Sequence, residues 1–207
     1  MSMLQAFPHL FMPGEDDAVP LLALHGTGGD EKDLLPLARM ISPNSSVLSP
    51  RGRVLENGMP RFFRRLAEGV FDLEDLAIRT QELAGFITEA AEEYGFEPSR
   101  IFALGYSNGA NIAASLMLTR ADVLGGGILL RAMVPFEPAS PPDLTGKAVL
   151  IGAGESDPII AQASTSRLSE ILRDAGAEVT LKWYPTGHGL TSRDVADATA
   201  WLAAIGH

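Results

Sequence analysis

Short apolar runs that close on glycine or proline alternate with amphipathic stretches along nearly the whole of this chain. No other feature constrains the fold as strongly. Strands alternating with helices imply right-handed crossovers, and so a mostly parallel sheet of about seven strands with helices on both faces. The runs read as strands are Val19 to His25, Ser46 to Ser49, Arg100 to Leu104, Gly127 to Leu130, Lys147 to Gly152 and Glu178 to Tyr184. Between them, apolar residues at helical spacing predict helices from Leu34 to Ala38 (capped by Asp30), Leu73 to Tyr94 (stopped by Gly95), Asn108 to Leu118, Ile159 to Asp174 and Thr191 to Ile205. Residues 51 to 72 show neither period and read as irregular.

The fold class is therefore α/β, and 207 residues suit one domain over 1–207 with no insertion long enough for a separate lid domain. Loops at the carboxyl ends of the strands are where function is expected. With 26 acidic against 16 basic residues the formal charge is −10, which argues against a nucleic-acid-binding surface. Cysteine is absent, which excludes disulfides and a thiolate nucleophile. No run approaches the roughly 18 apolar residues of a spanning helix, and Met1 to Gly14 lacks the pattern of a signal peptide. The expected location is cytoplasmic, with no membrane partner; a homodimer is left open.

Gly105-Tyr106-Ser107-Asn108-Gly109 matches G-x-S-x-G in the setting that gives the pattern meaning, after a strand and at the start of a helix. Serine on so sharp a turn is forced into strained backbone angles. Its flanking glycines are required because side chains there would collide with the neighbouring strand or helix. Ser107 then stands above the sheet with a helix N-terminus behind it, where the dipole favours developing negative charge.

A serine hydroxyl needs an adjacent base. Of the four histidines, His188 lies in the loop Thr186-Gly187-His188-Gly189 after the last strand and is the candidate. His25 ends a buried strand and reads as a brace for the glycine loop. His9 precedes the first confident strand, and His207 is terminal. The imidazole needs an orienting acid. Asp157, in the loop after the strand ending at Gly152, is the best-placed carboxylate, with Glu155 as runner-up. The order Ser, Asp, His then puts all three groups at strand ends on one edge of the sheet. Acyl transfer also needs oxyanion donors, expected to be the backbone N–H groups of Thr27, in the loop His25-Gly26-Thr27-Gly28-Gly29, and of Asn108.

These motifs, in this order, resemble the phospholipase/carboxylesterase group of small serine α/β-hydrolases, the relatives of acyl-protein thioesterases. The likeness runs from about residue 19 to about residue 200. Glu56 to Arg65 further resembles a loop of the bacterial carboxylesterase branch linked to hydroquinone resistance, a branch associated with ring-cleavage products of aromatic compounds. Acyl-protein thioesterases usually carry Gln and Leu where this chain has Asn108 and Thr27; both changes leave the backbone donors in place. The resemblance implies an α/β-hydrolase fold and a serine esterase.

Arg51 to Arg65 packs five arginines into an acidic protein, together with Met59, Phe62 and Phe63. It reads either as a wall of the substrate site, with Arg61 or a neighbour pairing a substrate carboxylate, or as a surface loop whose arginines pair with Glu56, Glu68 or Asp72. Met133 is expected in the same cleft, with core packing as the other reading of Met133 to Phe136. Asp30, Glu31 and Asp33 read as caps, not metal ligands. No metal or cofactor is expected. The expected activity is hydrolysis of small or medium carboxylic esters. A thioesterase or a hydrolase of ring-cleavage products would use the same residues; a non-catalytic small-molecule binding protein is the alternative of another class.

Overall fold

In a computed structural model, which describes residues 2–205, the chain runs α1 (Met3–Ala6), β1 (His9–Met12), β2 (Leu21–Leu24), α2 (Leu35–Ile41) and β3 (Val47–Pro50). Four short strands follow: β4 (Val54–Glu56), β5 (Met59–Arg61), β6 (Arg65–Ala67) and β7 (Val70–Phe71). The remainder is α3 (Leu73–Tyr94), β8 (Phe102–Tyr106), α4 (Asn108–Thr119), β9 (Gly126–Leu130), β10 (Ala148–Gly154), α5 (Gln162–Asp174), β11 (Glu178–Tyr184) and α6 (Ser192–Ile205). His207 lies outside the described residues.

Seven strands form the central sheet in the order β1-β3-β2-β8-β9-β10-β11. Only the edge pair β1–β3 is antiparallel; the other neighbours run parallel. The α/β-hydrolase fold expected from the sequence is the fold observed. Successive strand residues face opposite sides, and the two cores divide accordingly. Leu22, Leu24, Leu48, Ala103, Leu129, Val149 and Ile151 pack with α3, α4 and α5 on one face. Leu21, Ala23, Val47, Leu104, Ile128, Leu130 and Leu150 pack with α2 and α6 on the other.

Helix α3 forms where its signals place it. The Asp72 side chain accepts from the Asp75 N–H at the start, and Gly95 ends the helix in the left-handed region at φ 74°. Between them Leu76, Leu83, Phe86, Ile87 and Ala90 are buried. At roughly 1.5–3 kcal/mol for each fully buried large side chain, this face and not intrinsic propensity holds the helix in place.

Three expectations need correction. Residues 51 to 72 are not irregular: β4–β5 and β6–β7 are hairpins, each closed by two residues. Asn57 and Gly58 have φ of 52° and 81°, the pairing that a tight hairpin turn requires. The N-terminal segment adds α1 and the edge strand β1. Asp30 caps a turn, accepting from the Lys32 N–H, whereas α2 begins after Leu34 with no side-chain cap. Among the described residues no helix is long and apolar enough to cross a membrane.

Candidate active site

Ser107 sits between β8 and α4 at φ 52° and ψ −112°, backbone angles that cost a non-glycine residue of order 1–3 kcal/mol. The surroundings enforce them. Ser107 N–H donates to the Leu130 carbonyl at 2.9 Å, and the Ser107 carbonyl accepts from Asn111 N–H at 3.0 Å. A Cβ on Gly105 would lie 2.7 Å from Ala110 Cα, and one on Gly109 would overlap the Leu24 carbonyl. Both glycines are thus required by close approach to backbone that cannot move aside.

The topology brings the other two groups to this turn. His188 Nε2 is 3.0 Å from Ser107 Oγ, and His188 Nδ1 is 2.8 Å from Asp157 Oδ2. A carboxylate only accepts, so Nδ1 carries the proton and Nε2 faces the serine as an acceptor. Asp157 is anchored through its other oxygen, which accepts from Ile159 and Ile160 N–H at 2.9 and 3.1 Å. Its side chain is 2% exposed, so the imidazole contact is shielded from water. Glu155, exposed, makes no contact with the imidazole; the loop holds it by its backbone, its carbonyl accepting from Gln162 Nε2.

The His188 loop is pinned from two sides by residues the sequence did not single out. Tyr106 Oη donates to the His188 carbonyl at 3.0 Å. Arg131 Nη2 donates to the Gly189 carbonyl at 2.7 Å and Nη1 to the Gly152 carbonyl at 3.1 Å. Arg131 also forms a fully buried, two-pronged pair with Asp194, at 2.7 and 3.1 Å. Asp194 in turn accepts from the Thr191 N–H and hydroxyl at the start of α6. One guanidinium therefore ties together the ends of β9 and β10, the histidine loop and α6. Arg131 stands in the left-handed region at φ 57° to do so. Nothing local in the sequence signals this: Arg131 and Asp194 are 63 residues apart.

The N–H groups of Thr27 and Asn108 make no hydrogen bond among the described residues, and both residues line the cleft that contains Ser107 and His188. His25 lies behind this loop. Its Nδ1–H donates to the Gly26 carbonyl at 2.6 Å and its Nε2 accepts from Gly52 N–H at 2.9 Å. Burial pushes the imidazole below its ordinary pKa, so it stays neutral. His9, on β1, bonds to the Phe7 carbonyl and to Tyr94 Oη, away from the serine.

The cleft measures about 350 Å³, and Arg61 and Met133 are on its wall. Phe71, Asn111, Ile159 and Ile160 add apolar and amide groups that the sequence did not reveal to a wall that also carries Arg65 and Glu68. Phe62 and Phe63 correct the expectation: both are core residues, Phe62 tilted against His25 at 4.7 Å and Phe63 edge-on to Phe71 at 5.0 Å. Both sit in the bend between β5 and β6, which folds their rings inward. Met59 is not part of the lining either; it lies partly exposed beside Gly28. Met133 is held by its N–H, which donates to Asn111 Oδ1 at 2.9 Å, while Val134 and Phe136 pack on the core.

All five arginines of the segment are paired. Arg51 meets Glu31, Arg53 meets Glu82, and Arg64 meets Asp72 and Asp75, while Arg61 and Arg65 share Glu56. Glu68, on the cleft wall, takes none of them among the described residues. A larger cavity of about 590 Å³, walled by Phe11, Tyr94 and Arg100, holds none of Ser107, Asp157 and His188. Among the described residues no group of three or more histidines and acids is set to hold a metal ion.

A strained serine between a strand and a helix, with an imidazole and an acid reaching it from later strand ends, places the molecule among the α/β-hydrolases. The comparisons narrow this further. The family model for phospholipase/carboxylesterase matches residues 13–205, and the chain belongs to that family of hydrolases. It is similar to the putative hydrolase MhqD of Bacillus subtilis (strain 168), with 51% identity over 193 residues, 93% of this chain and 96% of the relative. It is also similar to the crystal structure of the Bacillus cereus carboxylesterase, at TM-score 0.94 and 51% identity over 96% of this chain and 94% of that one. A carboxylesterase from Mesorhizobium loti superposes at TM-score 0.90 with 35% identity, covering 96% of this chain and 95% of that one. The carboxylesterase-type hydrolase expected from the sequence is what these likenesses support.

Proposed function

We propose that the chain hydrolyses small or medium carboxylic esters through an acyl-enzyme on Ser107. His188 Nε2 takes the hydroxyl proton as Oγ attacks the acyl carbon, and the carbonyl oxygen becomes an oxyanion held by the N–H groups of Thr27 and Asn108. Collapse expels the alcohol, which leaves with the proton from His188. Water, deprotonated by the same nitrogen, then attacks the acyl-enzyme and releases the acid and Ser107. Asp157 keeps the proton on Nδ1 throughout and stabilises the transient imidazolium. No step calls on a cofactor.

The observation that carries this reading is the chain Asp157–His188–Ser107, at 2.8 and 3.0 Å across three separate loops. Two free backbone donors beside it supply the other half of the chemistry. The cleft suits short acyl and aryl groups by its volume, and Glu56 already bridges its two arginines. Initial rates on a panel of short aryl esters, matched thioesters and dienoate ring-cleavage analogues test the assignment. Esters should be turned over fastest, and Ser107→Ala or His188→Ala should lower kcat by on the order of 10⁶. A variant at Ser107 that retains wild-type rates overturns the mechanism; saturable binding without turnover of any substrate marks a non-catalytic binding protein.

A further inference from the structure

Arg61 is almost completely buried, yet its guanidinium is not spent on its ion pair alone. Its Nε donates to the Phe63 carbonyl at 3.1 Å and faces Glu56 Oε2 at 3.2 Å, which fixes the plane of the group. Its Nη1 donates to Thr27 Oγ1 at 2.5 Å. A guanidinium has only donors, so the Thr27 hydroxyl must accept this bond. The hydroxyl keeps its own proton, and among the described residues no acceptor takes that proton. Thr27 is exposed on the cleft that holds Ser107 and Asn108.

We infer that the Thr27 hydroxyl is a third donor to the acyl oxygen of the substrate, made more acidic by the buried Arg61 cation behind it. The inference rests on the acyl-transfer reading above and extends it to a side chain. Thr27 would then present two donors, its N–H and its Oγ–H, to the same developing charge. The Arg61 charge adds to this without touching substrate. A cation buried in the protein and fixed one hydrogen bond away is already oriented toward the developing negative charge, and no reorganisation is needed when that charge appears. Holding a guanidinium among core residues costs solvation, which Glu56 and the Phe63 carbonyl only partly offset. Burial accordingly lowers the pKa of Arg61 from its ordinary value. In this account Thr27 is a catalytic residue and Arg61 a positioning residue that acts through it.

The test compares Thr27→Val, which keeps the shape and the backbone N–H but loses the hydroxyl, with Thr27→Ser, which keeps both donors. Steady-state kinetics on a short neutral aryl ester are combined with inhibition by an aryl trifluoromethyl ketone, which adds serine to form an anionic hemiketal. Thr27→Val should lose roughly 10²-fold in kcat, with KM changed only a few-fold, and should bind the ketone more weakly by a similar factor. Thr27→Ser should stay within about tenfold of wild type, since it retains the donor. Arg61→Met should lower kcat on its own but add little to Thr27→Val, the non-additivity expected of groups acting as one unit. Thr27 is exposed, so the Thr27 variants should fold; should Thr27→Val not, Thr27→Ala carries the same comparison. Full kcat in Thr27→Val alongside an inactive Ser107→Ala overturns this inference and leaves the acyl-transfer reading standing. Full activity in Ser107→Ala overturns that reading itself.

Discussion

The two halves of the candidate site are held in place by different physics. On the serine side, position is set by steric exclusion: Gly105 and Gly109 let α4 pack so closely on β8 and β2 that the turn has one conformation left to it. On the imidazole side close backbone approach is confined to the start of the loop, where a Cβ on Gly154 would overlap the Gly187 carbonyl, and beyond that the loop is open. Gly189 has no atom within 4 Å of where a Cβ would stand, and Gly187 meets only ordinary contacts. His188 is instead held by hydrogen bonds from Tyr106, Arg131 and Asp157. In the proposed mechanism, a base that must exchange a proton with serine and then with water is better served by bonds that give slightly than by a jammed backbone. The proposed nucleophile gains from rigidity, because its strained angles keep the hydroxyl raised above the sheet.

If this contrast holds, substitutions on the two sides should differ in kind. The largest effect is expected at Gly109→Ala, whose methyl would overlap the Leu24 carbonyl. The variant should lose about 4 kcal/mol or more in denaturant unfolding, or fail to accumulate as folded protein. A midpoint near wild type would show that the serine turn is less tightly packed than described. Next comes Arg131→Met, which leaves Asp194 buried without its partner. A loss of about 3–5 kcal/mol is expected, together with a lower kcat as the Gly189 carbonyl is released. Unchanged kcat in the folded variant would mean that the loop does not need the guanidinium.

His25 sharpens the comparison through pH. Its burial favours the neutral ring, so the unfolded chain takes up a proton below the ordinary pKa of 6.5 that the folded chain refuses. Stability carried by His25 is therefore present above that pH and is lost as pH falls through it, by at most about 1.4 kcal/mol per unit. Unfolding of wild type and His25→Asn at pH 7.5 and 5.5 should show the steeper loss in wild type; parallel losses would contradict it. Tyr106→Phe should have the smallest effect. It removes one bond to the His188 carbonyl, worth about 0.5–1.5 kcal/mol, and should lower kcat only a few-fold.

The same division explains what the sequence disclosed. Steric requirements are written locally, so the Gly105–Gly109 turn and the run from Leu73 to Gly95 could be read from neighbouring residues alone. The mostly parallel sheet, with Ser107, Asp157 and His188 at strand ends on one edge, followed from the alternation of elements and the right-handed crossovers it implies; the strand order did not. The hairpins between β3 and α3 escaped because strands of two or three residues show no period. Asn57-Gly58 was the available signal, flanked by residues that pair across the turn. Arg131 could not have been found: its partner Asp194 is distant in sequence, and an arginine after a strand reads as a surface residue until the loop folds over it. Phe62 and Phe63 misled for a related reason. Aromatics beside a candidate cleft suit its wall and its foundation equally, and only the three-dimensional packing chose the foundation.

The most direct measurement is intact-mass spectrometry of the folded protein after exposure to a fluorophosphonate, with Ser107→Ala treated in parallel. A single adduct on the wild-type chain, mapped to the peptide bearing Ser107 and absent from the variant, is the expected result. An unmodified wild type, or an adduct of equal yield on Ser107→Ala, would contradict the assignment of Ser107 as an activated nucleophile.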